Sequence, residues 1–389
     1  MNDRGHVRAW AWYDFANSSY VLVYQAYLLP VYFVTRLPHA SALLSWGLVN
    51  AISTALGVLL SVLIGMRADR ARRLEHLRAF VWLSFLGMIA VSACVALAPS
   101  YVPLTYTLAN TAFIVTLSLS DSMLPFLSNN RGEALRASGY AWGFGYVGGI
   151  LAMPIVFAAQ RVWGDYSAAA FGSVALFYIV FSNYSFRGLQ TAALNAEVDK
   201  SAAPPITTSQ RVMLLVGVWL ISEAITVIIL FFSTYASAEL KLSTTIVGAM
   251  LLGVQLIGWP STIFGGRLGT RYNDLNLLGV SIALWVAVLV ILLSHPSMAA
   301  LAVVVVLTGL VIGNSQSYLR AQYSDVVFRW HSGRDYGIYA IASEVSVIIG
   351  PVLYGWGSDR LGSQRIPLMT LAAAMLVGYV VVRQILRRR

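Results

Sequence analysis

Charge is scarce in this chain. Only 11% of its 389 residues are Asp, Glu, Lys or Arg, and the acids number 16. Soluble domains carry about a quarter charged residues. A water-facing surface of ordinary composition is therefore excluded. Cysteine is represented by Cys94 alone, so no internal disulfide can form and the redox compartment cannot be read. The histidines, His6, His39, His76, His295 and His331, are scattered in or beside loops and show no metal-ligand spacing. There is no G-x-x-x-x-G-K-[ST] phosphate loop and no H-E-x-x-H pair. Nucleotide-driven pumping and zinc-peptidase chemistry lack their equipment. No metal, no cofactor and no enzymatic activity are expected.

Apolar residues are abundant, at 58%. They gather in twelve runs, near 11–35, 42–66, 78–98, 102–127, 137–159, 167–186, 211–236, 244–265, 275–294, 297–322, 335–357 and 366–386. A membrane helix needs about 20 such residues. Backbone groups in lipid must be satisfied within the segment, and these runs do not alternate as barrel strands would. The expected fold class is an all-α integral membrane protein with twelve transmembrane helices.

The net charge of +10 is distributed unevenly. With the amino terminus placed inside, 21 of the 26 basic residues fall in inner segments. Only Arg36, Arg161, Lys241, Arg360 and Arg365 fall outside. This asymmetry is the positive-inside rule. It predicts both termini on the cytoplasmic side of the cytoplasmic membrane. With no soluble domain to organise them, the basic loops are not expected to bind nucleic acid. The amino terminus carries Asp3, Arg4 and Arg8 and runs directly into a full-length span, so no cleavable leader is expected.

Loops are short. The longest, 187–210, holds Glu197, Asp199, Lys200 and the pair Pro204-Pro205, and reads as a linker. It divides six spans from six. The expected organisation is an amino-terminal bundle over 1–187, a cytoplasmic linker over 188–210 and a carboxyl-terminal bundle over 211–389. The halves echo one another. Gly139 through Gly149 followed by Pro154 aligns loosely with Gly337 through Gly350-Pro351. Residues 143–148, GFGYVG, fit a dinucleotide-binding pattern. That pattern needs a preceding strand. Here it lies in an apolar span, where glycines four apart suit close helix packing.

The loop after the second span reads Gly65-Met-Arg-Ala-Asp69-Arg70-Ala-Arg72-Arg73, and Gly266-Arg-Leu-Gly-Thr270-Arg271 repeats it weakly 201 residues later. Glycine, acid and a basic cluster at this place resemble the shared loop motif of the major facilitator superfamily. The first span carries Tyr13-Asp14-Phe15-Ala16-Asn17-Ser18. Together with Gly313-Asn-Ser315-Gln316-Ser317, Tyr336-Gly337-Ile-Tyr339 and Gly362-Ser363, this run is similar to the vacuole effluxer family, an autophagy-associated branch of that superfamily. The resemblance covers nearly the whole chain. It implies two pseudo-symmetric six-helix bundles, alternating access, and small-molecule cargo with amino acids favoured. It implies a conformational role for Gly65, Asp69, Arg70 and Arg73.

Four acids lie well inside spans: Asp14, Asp121, Glu223 and Glu344. Ionisable groups in hydrocarbon are costly and face a cavity or a partner. At 1.5 Å per residue, Glu223 lies about 18 Å along its helix from Arg211, near mid-bilayer. On the same scale Asp14, Asp121 and Arg320 share the cytoplasmic third. Helical spacing puts Asp14, Asn17, Ser18 and Gln25 on one stripe, Ser118, Asp121 and Ser122 on another, Glu223 with Thr226, and Gln316 with Arg320. The candidate substrate and proton site is therefore Glu223, Asp14, Asn17, Asp121, Gln316, Arg320 and Glu344. Asp14, Asp121 and Arg320 are expected to form a closing charge network, and Glu223 to be the proton-responsive group.

Each has a plainer alternative. Asp14 can stabilise its helix end, Asp121 with Arg320 can be a static ion pair, and Glu344 can be a hydrogen-bonded acid between helices. The aromatics Trp12, Tyr24, Trp142, Tyr146 and Tyr318 read either as a cage or as packing. The expected function is secondary transport of a small polar or zwitterionic solute by a monomer in the lipid bilayer, coupled to protons. Export of amphiphilic or drug-like compounds is the alternative. A non-transporting membrane sensor is disfavoured because no sizeable soluble output surface is present.

Overall fold

The computed structural model describes residues 3–36, 42–70, 73–128, 130–189, 206–238, 240–242, 244–294, 296–327, 331–361, 363 and 365–387. The linker residues Glu197, Asp199, Lys200, Pro204 and Pro205 lie outside the described residues, as do His39, Arg72, His295, Arg329 and Gly362. Every regular element among the described residues is helical.

In the first half, α1 (Asp3–Ser18) continues through a π-helical segment, Ser19–Leu28, into α2 (Leu29–Arg36). Then come α3 (Ala42–Arg70), α4 (Arg73–Leu97), α5 (Val102–Asp121), the short α6 (Leu124–Leu127), α7 (Arg131–Trp163) and α8 (Ala168–Gly188). The second half has α9 (Thr208–Ala238), α10 (Thr244–Leu268), α11 (Asp274–Leu293) and α12 (Met298–Ser324). It ends with α13 (Ser332–Glu344), α14 (Ser346–Leu361) and α15 (Arg365–Arg387).

Local chemistry sets several of these ends. Ser167, Asn273 and Ser297 cap α8, α11 and α12 by accepting first-turn amides. Pro103 sits in the first turn of α5, where its missing N–H costs nothing. Pro154 and Pro260 interrupt the bonding ladders of α7 and α10 internally.

Ten helices among the described residues are long and apolar enough to cross a membrane. Two of the runs expected from sequence take other forms. The first carries the π segment. The eleventh is divided at Val345, where the Ile348 amide makes an i−3 bond of 3.0 Å to the Val345 carbonyl beside the regular Ile349 bond to the same oxygen. The molecule is a multi-pass, all-α membrane protein of the twelve-helix kind. Its outward faces are apolar: Leu59, Leu86, Leu108, Phe264 and Leu353 are all exposed. In water such a surface would be a liability; in lipid it is the solvated face.

Two compact units divide the chain. The first comprises Met1–Asn129, Phe144–Ala202 and Val327–Ala340, and the second Asn130–Gly143, Ala203–Val326 and Ile341–Arg389. Helices α7 and α13 therefore each contribute residues to both. The first unit is centred on aromatic packing. Trp12 stacks on Phe181 and meets Phe15, Phe144 and Tyr184 edge-on, so it serves packing rather than a cage. Polar groups tie α1 and the π segment to α3 and α5. Trp10 donates to Ser120, Tyr20 to Asn110, Asn110 to Ser53, and both Gln25 and Tyr106 to Asn50. In the second unit, Trp285 is buried and donates to Ser315.

Candidate functional site

The motif, expected as a loop, is helical through Arg70 and again from Arg73, and it meets a helix start within the first unit. Gly65 and Asp69 lie in the last turns of α3. Ser332, Gly333 and Arg334 open α13, which belongs to the second half of the sequence. The first amides of a helix lack intrahelical acceptors and carry the positive end of its dipole. Asp69 supplies what they lack. Its Oδ1 accepts the Gly333 N–H at 2.7 Å and its Oδ2 accepts the Arg334 N–H at 2.9 Å.

Arg73 completes the cluster. Its Nη2 donates to Asp69 Oδ1 at 2.7 Å, and its Nη1 donates to the Ser122 carbonyl at 2.7 Å and to the Ser332 hydroxyl. The guanidinium lies 4.6 Å from the centre of the Phe126 ring. Both charges are almost fully covered, with 4% of the Arg73 side chain and 5% of that of Asp69 exposed. Such a pair survives burial only when its remaining donors and acceptors are met. Arg70 is exposed and stands apart from the cluster.

The backbones meet at Gly65. A Cβ there would collide with the Gly333 carbonyl, and one on Gly333 would lie 2.9 Å from Asp69 Oδ1. Glycine on both helices is what lets the carboxylate reach the amides.

The second unit holds the buried acid. Glu223, on α9, accepts a hydrogen bond from the Trp219 indole at 2.9 Å through Oε2. Its Oε1 is buried, faces Gly350 of α14 and has the Ser346 hydroxyl near it, with no well-aligned hydrogen bond between the two. The Ser346 hydroxyl, one turn before Gly350, is also buried and unsatisfied. Ser346 immediately follows the break at Val345. Helix interruptions at membrane depth are tolerated where they are buried in protein or line a cavity. Glu344, half-buried, ends α13 on the other side of that break.

The remaining candidates divide between the units. In the first, Asp14 is buried and accepts from Asn17 Nδ2 at 3.3 Å. Asp121 ends α5 and is half-buried. In the second, Arg320 is buried on α12. Its Nε donates to Ser138 Oγ at 2.9 Å, its Nη2 to the Ser138 carbonyl at 3.1 Å, and it lies 5.7 Å from the Trp142 ring centre. Gln316 is half-buried one turn earlier. Tyr318 and Tyr24 are buried and donate to the Gly265 and Met88 carbonyls.

The stripe proposed for the first span needs correction at one residue. The π segment begins at Ser19, so α-helical spacing does not carry from Ser18 to Gln25, and Gln25 turns to Asn50. The glycines of GFGYVG pack helices. Gly143 meets Trp259 and Ile263 of α10, and Gly145 and Gly148 meet Asp14 and Phe15 of α1. No group of three His, Cys, Asp or Glu among the described residues is arranged to hold a metal ion.

Sequence reasoning missed Trp219, Ser346 and the α13 amides. Backbone amides carry no residue signal, and a lone serine beside a helix break carries none until the break is seen.

Proteins similar to this chain in sequence or in fold include transporters. The family model of the Major Facilitator Superfamily matches residues 214–389. An uncharacterised transporter of the major facilitator type from Bacillus subtilis, YxiO, is 21% identical over 96% of this chain and 93% of its own length. Autophagy-related protein 22-2 of Aspergillus oryzae is 24% identical over 43% of this chain and 30% of its own length. A Major Facilitator Superfamily transporter, FucP, solved in the outward conformation, superposes with a TM-score of 0.75 at 11% identity, covering 99% of this chain and 98% of that one. The chain has the major facilitator fold from end to end, and its second half matches that superfamily's own sequence model.

Proposed function

We propose that the protein is a secondary transporter that moves a small polar or zwitterionic solute by alternating access. The observation that carries this reading is the Asp69 latch. It joins the end of α3, in the first half of the sequence, to the start of α13, in the second, through two charged hydrogen bonds and a covered arginine. Such a contact is a closed one, and an alternating-access cycle must open it. The likeness to the vacuole effluxer branch, in the first-span motif and in Autophagy-related protein 22-2, supports membership of that branch and favours amino acids as cargo. Two six-helix halves, 1–187 and 211–389, would move about the 188–210 linker in the cytoplasmic membrane, with both termini inside and the chain acting as a monomer.

Glu223 is the group we assign to coupling. It is a buried acid with one oxygen uncommitted, beside a broken helix. Such an acid is suited to taking up and releasing a proton as its surroundings change. Asp14, Asn17, Asp121, Gln316, Arg320 and Glu344 would contribute the remaining polar groups of the pathway.

Thermal-shift screening of the purified protein against amino acids, sugars, amphiphiles and metal ions tests the cargo class, because a ligand of the native state raises its apparent stability. Uptake of the hit into reconstituted vesicles then tests transport. Stabilisation by amphiphiles alone would replace the polar-solute reading with export of drug-like compounds. Binding without uptake or exchange would remove transport itself.

A further inference from the structure

Helix α12 has one open stripe over its last turns. From Val311 to Ser324 every residue is buried except Ile312 and Gln316, which lie one turn apart. Arg320 follows on the same face after another turn and is covered. An amide facing hydrocarbon would be costly, so the stripe faces a polar space within the protein. Helix α7 runs beside it in the second unit. Ser138 of α7 donates to the Ser317 carbonyl at 3.0 Å and accepts from Arg320 Nε at 2.9 Å. One turn on, the Trp142 ring lies 5.7 Å from the same guanidinium. The fifth and tenth spans run in opposite senses, so the turn after Ser138 lies beside the turn before Ser317. That places Trp142 at the level of Gln316.

Trp142 is short of an acceptor. Its Nε1 is covered and has no hydrogen-bond partner, the only indole nitrogen so placed among the described residues. Other indoles are met: Trp10 donates to Ser120, Trp219 to Glu223 and Trp285 to Ser315. An indole N–H can only donate, and a covered donor left unmet costs more than an ordinary hydrogen bond gains. The missing partner is therefore an acceptor. The Arg320 charge beside the ring favours an anionic one. Arg320 is itself turned to Ser138 by its Nε and Nη2, so it brings charge to this space from a fixed position.

We propose that Trp142 and Gln316, in the field of Arg320, bind a carboxylate group of the transported solute. The indole N–H and the Gln316 amide N–H come from facing helices and donate to the two carboxylate oxygens. Hydrogen bonds to an ionised acceptor are the stronger kind. Two neutral donors and one cation suit a group of single charge; a doubly charged phosphate would bring more charge than this space balances. The covered N–H meets its acceptor when the cycle opens the space along Gln316. This subsite rests on the polar-solute reading and narrows it to solutes that carry a carboxylate.

The probes are the twenty L-amino acids, each beside its own α-carboxamide, titrated against the purified protein and read by thermal shift. An acid that stabilises the protein is expected to bind about tenfold or more tightly than its amide, the worth of one hydrogen bond to a charged group. Trp142→Phe should lose that preference. It also removes volume, so benzothienylalanine at position 142, with sulfur in place of the N–H, is the stricter change. It should melt like the parent when empty and bind the acid no better than the amide. Gln316→Glu sets a negative charge beside the subsite and should weaken the acid more than the amide. Equal binding of acid and amide by the parent would overturn the proposal, as would full preference for the acid in the benzothienyl protein. Uptake of the bound solute would still uphold the polar-solute reading in either case. No stabilisation by any of the acids would overturn the proposal as well; stabilisation by sugars would then keep that reading, and stabilisation by amphiphiles alone would end both.

Discussion

The Gly333 amide sits 2.7 Å from the Asp69 carboxylate across 264 residues of sequence. The two groups need each other. A helix start in low dielectric has donors without acceptors, and a buried carboxylate has lone pairs without donors. Bringing them together satisfies both. Arg73, at the start of α4 and one helical turn on from Asp69, then balances the net charge.

Asp69→Asn should impair transport by roughly tenfold or more while expression and membrane insertion persist. Asparagine has one acceptor oxygen where aspartate has two, and its NH2 group would point a donor at an amide. Hydrogen bonds to charged groups contribute about 1.5–3 kcal/mol each, so loss of one suffices for that effect. Initial uptake rates in reconstituted vesicles, with protein quantified by blot, check it. Unchanged kinetics would remove the latch from the cycle.

Gly65→Ala should weaken the same contact by a different route. The added methyl meets the Gly333 carbonyl, which belongs to a helix backbone and cannot swing aside. Overpacking of this kind costs about 1–3 kcal/mol. The contact should open rather than the fold collapse, because α3 and α13 keep their other neighbours. A cysteine replacing the buried Ser332 in a Cys94→Ser background should therefore react faster with a maleimide in Gly65→Ala than in its parent. Equal rates would show that the backbone accommodates the methyl.

Much of this architecture is legible in the apolar runs, because a span of about 20 residues imposes its own period on the sequence. The loop motif is legible for a similar reason: glycine and acid are needed at fixed spacing whatever surrounds them. What escapes is instructive. The π segment at Ser19–Leu28 has no compositional mark, since it differs from an α-helix only in which carbonyl each amide meets. The break at Val345 lies between Glu344 and Ser346, and neither residue type interrupts a helix by itself. In the second half the eye follows the glycine to Thr270, the position matching Asp69, whereas the charge that pairs with Arg131 of the first half is four residues on, at Asp274. Spacing locates a contact; it does not say which of its members carries the charge.

Arg320→Lys should destabilise the protein even though charge is conserved. The guanidinium donates from two nitrogens to Ser138 and rests over Trp142. An ammonium is a point charge that cannot reproduce a forked contact. Ser138 in turn donates to the Ser317 carbonyl, so its orientation is already set. The loss should be about 2 kcal/mol or more, read as a lower midpoint in thermal melts. Ser138→Ala should show part of that loss, and the two changes together less than their sum. Strict additivity would mean that Arg320 is held by other groups.

Glu223→Gln should abolish transport driven by a pH gradient and preserve exchange of solute. Glutamine can still accept the Trp219 indole through its amide oxygen, so the bond that orients the side chain survives. It can no longer gain or lose a proton. If the acid carries the coupling proton, net movement against a gradient stops, while exchange continues because it need not move a proton. If the acid only orients solute, glutamine would shift the apparent affinity in both assays and leave gradient dependence intact. Trp219→Phe is the complementary change. It removes the donor to Oε2, leaves the acid in place, and should alter the pH at which transport is half-maximal without abolishing coupling. Uptake and counterflow by the parent and both variants, each with and without an imposed pH gradient, separate these outcomes. Equal gradient dependence in the parent and Glu223→Gln would move the coupling role elsewhere, and Glu344, across the helix break at Val345, would be the next acid to test.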